Sequence, residues 1–256
     1  MTPRLFLVVI ALSLVPIAAL AQTPAPTIAA PSLFRWTGVD LGLSVDFGGT
    51  NAATLFDPLP SAAAFGSLMP TTLHPDPRGP SYRLAAGINW QMKALVIGGE
   101  GDFSWFNPDG SADLTPIIRN DGTPFPGAGA LHASMYSDWI ATARARAALG
   151  FGRVLVFGTG GLVFGSVRYQ AETDFRPAAT FDYAADIMKT KTGWTVGGGT
   201  EIRVSHRWGT KVEYRYANLG NQSATVNSTP VLPPFQVAYT WQTKISNFSG
   251  GIVVHF

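Results

Sequence analysis

The chain has no cysteine, so disulfide frameworks and thiolate metal sites are excluded. Charge is scarce as well. Asp, Glu, Lys and Arg make up 13% of the 256 residues, against about a quarter in ordinary soluble domains, too few to cover a fully wetted exterior. The net charge of +2 gives no electrostatic footprint for nucleic acid, which is not expected as a partner. Nothing matches HExxH, GxSxG, a phosphate-binding loop or a paired-ligand metal spacing, so neither an enzyme nor a bound cofactor is expected. The run Gly197-Gly198-Gly199 reads as strand glycines allowing close packing. No apolar run reaches the roughly 20 residues that a membrane-crossing helix needs.

The longest apolar run, residues 5–17, follows Arg4, is interrupted by Pro16 and precedes Ala19-Leu20-Ala21. A positive start, a short apolar stretch and a small-x-small site form a secretory signal peptide, expected over residues 1–21 with Gln22 as the first mature residue. Residues 22–35 are rich in Pro and Ala without periodicity, and read as a flexible periplasmic lead-in.

From Trp36 onward the pattern has period two. Over residues 36–47, Val39, Leu41, Leu43, Val45 and Phe47 alternate with Asp40, Gly42, Ser44 and Asp46. Similar segments occur at 82–91, 95–105, 136–149, 154–169, 193–204, 210–219 and 243–256, although 154–169 is apolar and Gly-rich on both faces and its register stays open. Connections of about 34, 30, 23 and 22 residues alternate with connections of about 3 or 4. In an up-and-down sheet that places all tight turns on one side and all long loops on the other, the asymmetry of outer-membrane barrels. Residues 36–256 are therefore expected to form an all-β domain, an eight-stranded antiparallel up-and-down transmembrane β-barrel with four long extracellular loops.

A soluble lipid-carrier barrel shows the same alternation turned inside out. Three features favour the membrane: polar faces that mix both charges with Gly, Ala and Ser, which suits a narrow interior; Trp36, Tyr82, Trp90, Trp105 and Trp139 at strand ends, where aromatic girdles belong; and the sparse charge.

WTG (36–38), GGEGDFSW (98–105), WIATARARAALGF (139–151), TGGLVFG (159–165), GWTVGGGTEI (193–202), KVEYRYANLG (211–220) and VVHF (253–256) together resemble the small outer-membrane β-barrel family, the group around outer membrane protein A's transmembrane domain and the porin-like surface antigens. The resemblance covers the strands from Trp36 to Phe256 and hardly touches the loops. It departs at Val39-Asp40, where an aromatic pair is usual, and at Ala145, where glycine is common. It implies residence in the outer membrane of a Gram-negative cell, with outer-membrane lipid as surroundings. Ser249-x-Gly251-x-x-Val254-x-Phe256 resembles the C-terminal signal read by the barrel-assembly machinery, with Val254 replacing the usual aromatic.

The interior charges should neutralise one another, because a lone charge is costly to desolvate. Glu100 and Asp102 are expected to adjoin Arg144 and Arg146; Glu201 and Arg203 are expected to meet Lys211, Glu213 and Arg215. This ion-pair network would plug a lumen barely wide enough for its own side chains. A narrow porin, or a haem- or ligand-binding surface protein using the loops with His74 and His132 as candidate ligands, are the alternatives. Ser205-His206 reads as turn residues, since sequence adjacency is not triad geometry.

Overall fold

A computed structural model of the chain describes residues 35–256 except 107–108, 126–128, 177–181 and 230–234. The expected signal peptide, and all of the lead-in but Arg35, lie outside the described residues. Ten strands and one short helix follow in order: β1 (Gly38–Pro58), α1 (Pro60–Gly66), β2 (Thr71–Leu73), β3 (Arg78–Met92), β4 (Leu95–Phe106), β5 (Asp109–Leu114), β6 (Ala130–Phe151), β7 (Val154–Asp174), β8 (Asp182–Arg203), β9 (Trp208–Asn227) and β10 (Gln236–His255).

Eight of these, β1, β3, β4 and β6–β10, pair antiparallel with their successors, and β10 returns to pair with β1. The ring closes at the C-terminus itself: the Phe256 N–H donates to the Val39 carbonyl at 2.9 Å. The short strands β2 and β5 add to β1 and β6 at one end. At the other end lie tight turns. One uses Gly152 at φ 62°, where a left-handed residue is needed and no atom would meet a Cβ.

The eight expected strands are present, but they run well past the expected boundaries. β1 continues to Pro58, β7 to Asp174 and β9 to Asn227, while β8 begins at Asp182 and β10 at Gln236. Much of what was expected to be long loop is therefore wall. The last two connections at this end shrink to residues 175–181 and 228–235.

The physical reason is an exchange of faces partway along the strands. Towards the turn end, Leu41, Leu43, Leu84, Ile88, Ile97, Leu149, Val156, Val196, Ile202, Val212 and Ile252 point outward and are exposed. Towards the extended end the inward side chains are apolar: Leu131, Ala133 and Met135 on β6, Val167, Tyr169 and Ala171 on β7, Tyr183 and Ala185 on β8, Val237, Tyr239 and Trp241 on β10, all buried. There the outward positions are polar, as at His132, Ser134, Gln170, Glu172 and Asp186. On β6 the change coincides with a bulge between Ser137 and Trp139. On β7 no bulge occurs: Val156 and Leu162 are exposed on the outer face while Leu155, Phe157, Val163, Val167 and Tyr169 are buried on the inner one. That explains why both faces of residues 154–169 look apolar in the sequence.

The aromatic girdles are also corrected at one position. Tyr82, Trp90 and Trp105 face outward and are half exposed, joined by Trp194, Trp208 and Tyr214. Tyr82 and Trp90, both on β3, are separated by roughly 20 Å of height for a strand tilted by about 40°, close to the thickness of an outer-membrane apolar band. Trp36 instead is buried inside the turn end, 1% exposed. Its backbone N–H donates to Gln91 Oε1 at 2.8 Å and its ring meets the His255 ring edge-on.

Candidate functional site: a charged lumen under an apolar cap

Small outward residues and long inward ones build the interior. On β6, Ala143, Ala145 and Ala147 face out while Thr142, Arg144 and Arg146 face in; on β4, Gly99 and Gly101 alternate with Glu100 and Asp102. Gly197 clears space on the inner wall of β8, since a Cβ there would lie 2.9 Å from Thr159 Oγ1 and 3.0 Å from Glu213 Oε1.

Arg144 is the hub. Its guanidinium meets Glu100 at 2.5 Å, Asp102 at 2.9 Å and Glu213, and also donates to Thr159 Oγ1 at 2.9 Å. Arg215 bridges Asp102 at 2.7 Å and Asp46 at 3.1 Å. Arg83 bridges Asp46 at 3.1 Å and Glu213 at 3.0 Å. Lys211 reaches Glu100 at 2.5 Å and Glu213 at 3.6 Å. Nearer the turn end, Arg146 pairs with Glu201 at 2.7 Å and approaches Asp40 at 3.8 Å, while its guanidinium lies 4.3 Å from the Phe157 ring centroid. His255 Nε2 stands 2.8 Å from Glu201 Oε1, close but not aligned as a hydrogen bond.

These charges are removed from water, and Glu100, Asp102 and Glu213 each have two or more polar partners, the condition under which a buried pair offsets its desolvation. Six carboxylates (Asp40, Asp46, Glu100, Asp102, Glu201, Glu213) and six cations (Arg83, Arg144, Arg146, Arg203, Lys211, Arg215) line the lumen, so their formal charges are equal in number. A cavity of about 20 Å³ lies between Asp40, Ser44, Arg83, Glu100, Arg146 and Lys211, room for about one water. Above the network the apolar cap begins with Ile140, Val163, Ala217 and Ile245.

The structure brings Glu100 and Asp102 to Arg144 and brings Glu213 and Arg215 into the same cluster. Two pairings differ from expectation. Glu201 looks across the lumen to Arg146 and His255 rather than to its register neighbour Lys211. Arg203 takes no carboxylate: it lies 4.7 Å over the Trp36 ring and donates to the His206 carbonyl at 3.3 Å. Sequence reasoning missed Asp40, Asp46 and Arg83. All three stood on polar faces of expected strands, but Arg83 and Glu213 lie 130 positions apart on strands that are not neighbours.

Of the C-terminal residues, Ser249 faces inward: its Oγ accepts from Arg83 at 2.5 Å and donates to the Glu213 carbonyl at 3.2 Å. At Gly251 a Cβ would lie 2.3 Å from the Leu43 carbonyl oxygen, so only glycine fits beside β1. Val254 and Phe256 point outward. His132 lies on the outer face of β6 with Nδ1 2.6 Å from Asp113, and His74 follows β2 in an exposed position. Ser205 Oγ accepts the backbone N–H of Trp208 at 3.1 Å within its turn.

An apolar exterior band edged by aromatic rings, around a closed sheet with a salt-bridged interior, defines an integral outer-membrane β-barrel. The chain belongs to the outer membrane protein beta-barrel domain family, whose profile matches residues 7–256. It is 31% identical over 210 residues to the 31 kDa outer-membrane immunogenic protein of Brucella melitensis, covering 79% of each chain. It is 28% identical over 142 residues to the 22 kDa outer membrane protein of Rhizobium leguminosarum, covering 56% of this chain and 54% of that protein. Among solved structures, the outer membrane protein OprG of Pseudomonas aeruginosa aligns at 8% identity with a TM-score of 0.47, covering 86% of this chain and 96% of that one. The protein is thus an outer-membrane resident.

Proposed function

We propose that the protein is a non-catalytic surface barrel whose lumen is sealed, and that its extended end faces the exterior. The observation that carries the seal is the packed cross-section: buried ion pairs fill the lumen around a cavity of about 20 Å³, and a buried apolar cluster lies above them. Tight turns on one side and long strand extensions on the other support the orientation, because outer-membrane barrels keep their short turns in the periplasm. In this reading residues 1–21 direct export, and Ser249, Gly251, Val254 and Phe256 present the closing strand to the barrel-assembly machinery. The extended end, with α1, β2 and β5, is the part available to extracellular ligands.

Single-channel recording on the refolded protein in planar bilayers tests the seal. The expected result is no sustained conductance at neutral pH. A stable, ion-selective conductance in the unaltered protein overturns the reading in favour of a narrow porin.

A further inference from the structure

The ring is closed through the apolar band but not throughout the extension. β8 and β9 pair only between Trp194↔Asn218 and Arg203↔Gly209. Above Trp194, β8 pairs with β7 alone, and above Asn218, β9 pairs with β10 alone. The two strands meet again at an isolated bridge, Asp182↔Thr229. Between these closures lies a seam bounded by residues 184–193 and 219–227, starting just above the outward Trp194.

The sequence builds this opening. Asn218 Oδ1 accepts the Gly220 N–H at 2.8 Å, Gly220 has φ 73°, and the β9–β10 register shifts at Thr243/Lys244. Together they turn β9 away from β8 and towards β10. Lys191 spans the seam, its Nζ donating to the Asn221 carbonyl at 2.6 Å. A lysine side chain reaches roughly 6 Å from its Cα, so the two backbones stand up to about 10 Å apart there, about two strand spacings. That ceiling excludes a hairpin and admits at most one strand.

We propose that this seam is a docking slot for one extended acidic peptide segment, held by strand addition. Unpaired sheet edges are templates for another strand, and here two face each other. Positive charge predominates along the seam, with Asp182 at its far closure. Three of the chain's five lysines, Lys189, Lys191 and Lys244, lie at or beside the seam, and no Asp or Glu follows Glu213 in the chain. Asp186 on β8 is turned towards β7, where Arg168 holds it at 2.5 Å. Behind the seam, Ile187, Ala224 and Val226 pack against the cap, a floor for apolar side chains at alternate positions. Because β8 and β9 are antiparallel, the guest strand runs parallel to one edge and antiparallel to the other. The slot depends on the previous reading only for facing the exterior; purified protein makes orientation irrelevant to the assay.

The experiment measures fluorescence anisotropy of a labelled peptide of about ten residues alternating valine and glutamate, with the full barrel in zwitterionic nanodiscs. The expected result is saturable binding, weakened about tenfold or more both by N-methylation of alternate peptide backbone nitrogens and by Lys189→Glu with Lys191→Glu. The valine–lysine counterpart should bind the double variant instead. Equal binding of the N-methylated peptide, or full competition by oligoglutamate or by lipid vesicles bearing phosphate headgroups, reduces the seam to a basic patch and overturns the proposal. Absence of binding to a barrel that retains its heat-modifiable migration overturns it too.

Discussion

The strands of this barrel obey one period-two rule in two media. In the membrane band β6 shows Ala143, Ala145, Ala147 and Leu149 to lipid and keeps Arg144 and Arg146 inside; beyond its bulge it shows His132 and Ser134 to water and keeps Leu131, Ala133 and Met135 inside. Inside the band stability comes from charges that compensate one another where water is excluded. Inside the extension it comes from apolar burial, as in a soluble barrel, with rings such as Tyr169, Tyr239 and Trp241 stacked or tilted on one another. The two halves should therefore fail differently, and each can be attacked alone.

The largest effect is expected from Arg144→Ala. It leaves Glu100, Asp102 and Glu213 each short of a cation, and breaking a buried network in this way costs about 3–5 kcal/mol, read from urea unfolding in lipid vesicles. Adding Glu100→Gln should recover part of the loss, because one stranded charge is then removed. If Arg144→Ala is neutral, the lumen is wetter than the packing indicates. In the extension, Trp241→Ala removes a ring that is 1% exposed. The side-chain loss is about 3 kcal/mol but confined to that half, so protease sensitivity at the extended end should rise while heat-modifiable migration persists. Global unfolding by this variant would mean that the halves are one cooperative unit.

A smaller effect follows from pH. Burial pushes the Tyr239 phenol well above its ordinary 10.0. A raised folded value means that its contribution is complete below about pH 10 and is lost as pH rises from there towards the folded value. The extension should loosen in that alkaline window, followed by phenolate absorbance together with amide exchange; ionisation of Tyr239 at its ordinary value would place it in water. The smallest effect is Arg168→Ala. Its pair with Asp186 is 35% and 46% exposed, so solvent screening leaves little stability to lose, measured in the same urea series. A loss matching that of Arg144→Ala would erase the distinction between the halves.

The strand number, the antiparallel order and the membrane-facing residues were legible because lipid outside and charge inside make the alternation stark. The extension was not, because its alternation is weaker and reversed: Ala224, Val226 and Ala185 alternate with Ser, Thr and Asp among the Pro, Gly and Asn that also mark loops. Adjacent-strand reasoning brings Glu100 to Arg144, a true register pair. It could not assign Arg83 to Glu213 or Glu201 to Arg146, since those contacts cross the lumen, and the diameter of a closed ring rather than any local pattern decides which side chains meet there. Trp36 was misplaced for a related reason: a Trp at a strand end looks alike whether it anchors at an interface or folds under the barrel.

The connectivity of Glu213 bears on how the protein assembles. It receives Arg83 from β3, Arg144 from β6 and Lys211 from its own strand, so no single nascent hairpin can complete its set of partners. A partly zipped sheet entering lipid carries formal charges awaiting partners more than a hundred residues away. Such nonlocal contacts form late and slowly. The Glu100–Arg144 pair can form as soon as β4 meets β6, whereas the contacts that cross the lumen, such as Arg83 with Glu213, are completed only as the cylinder shuts.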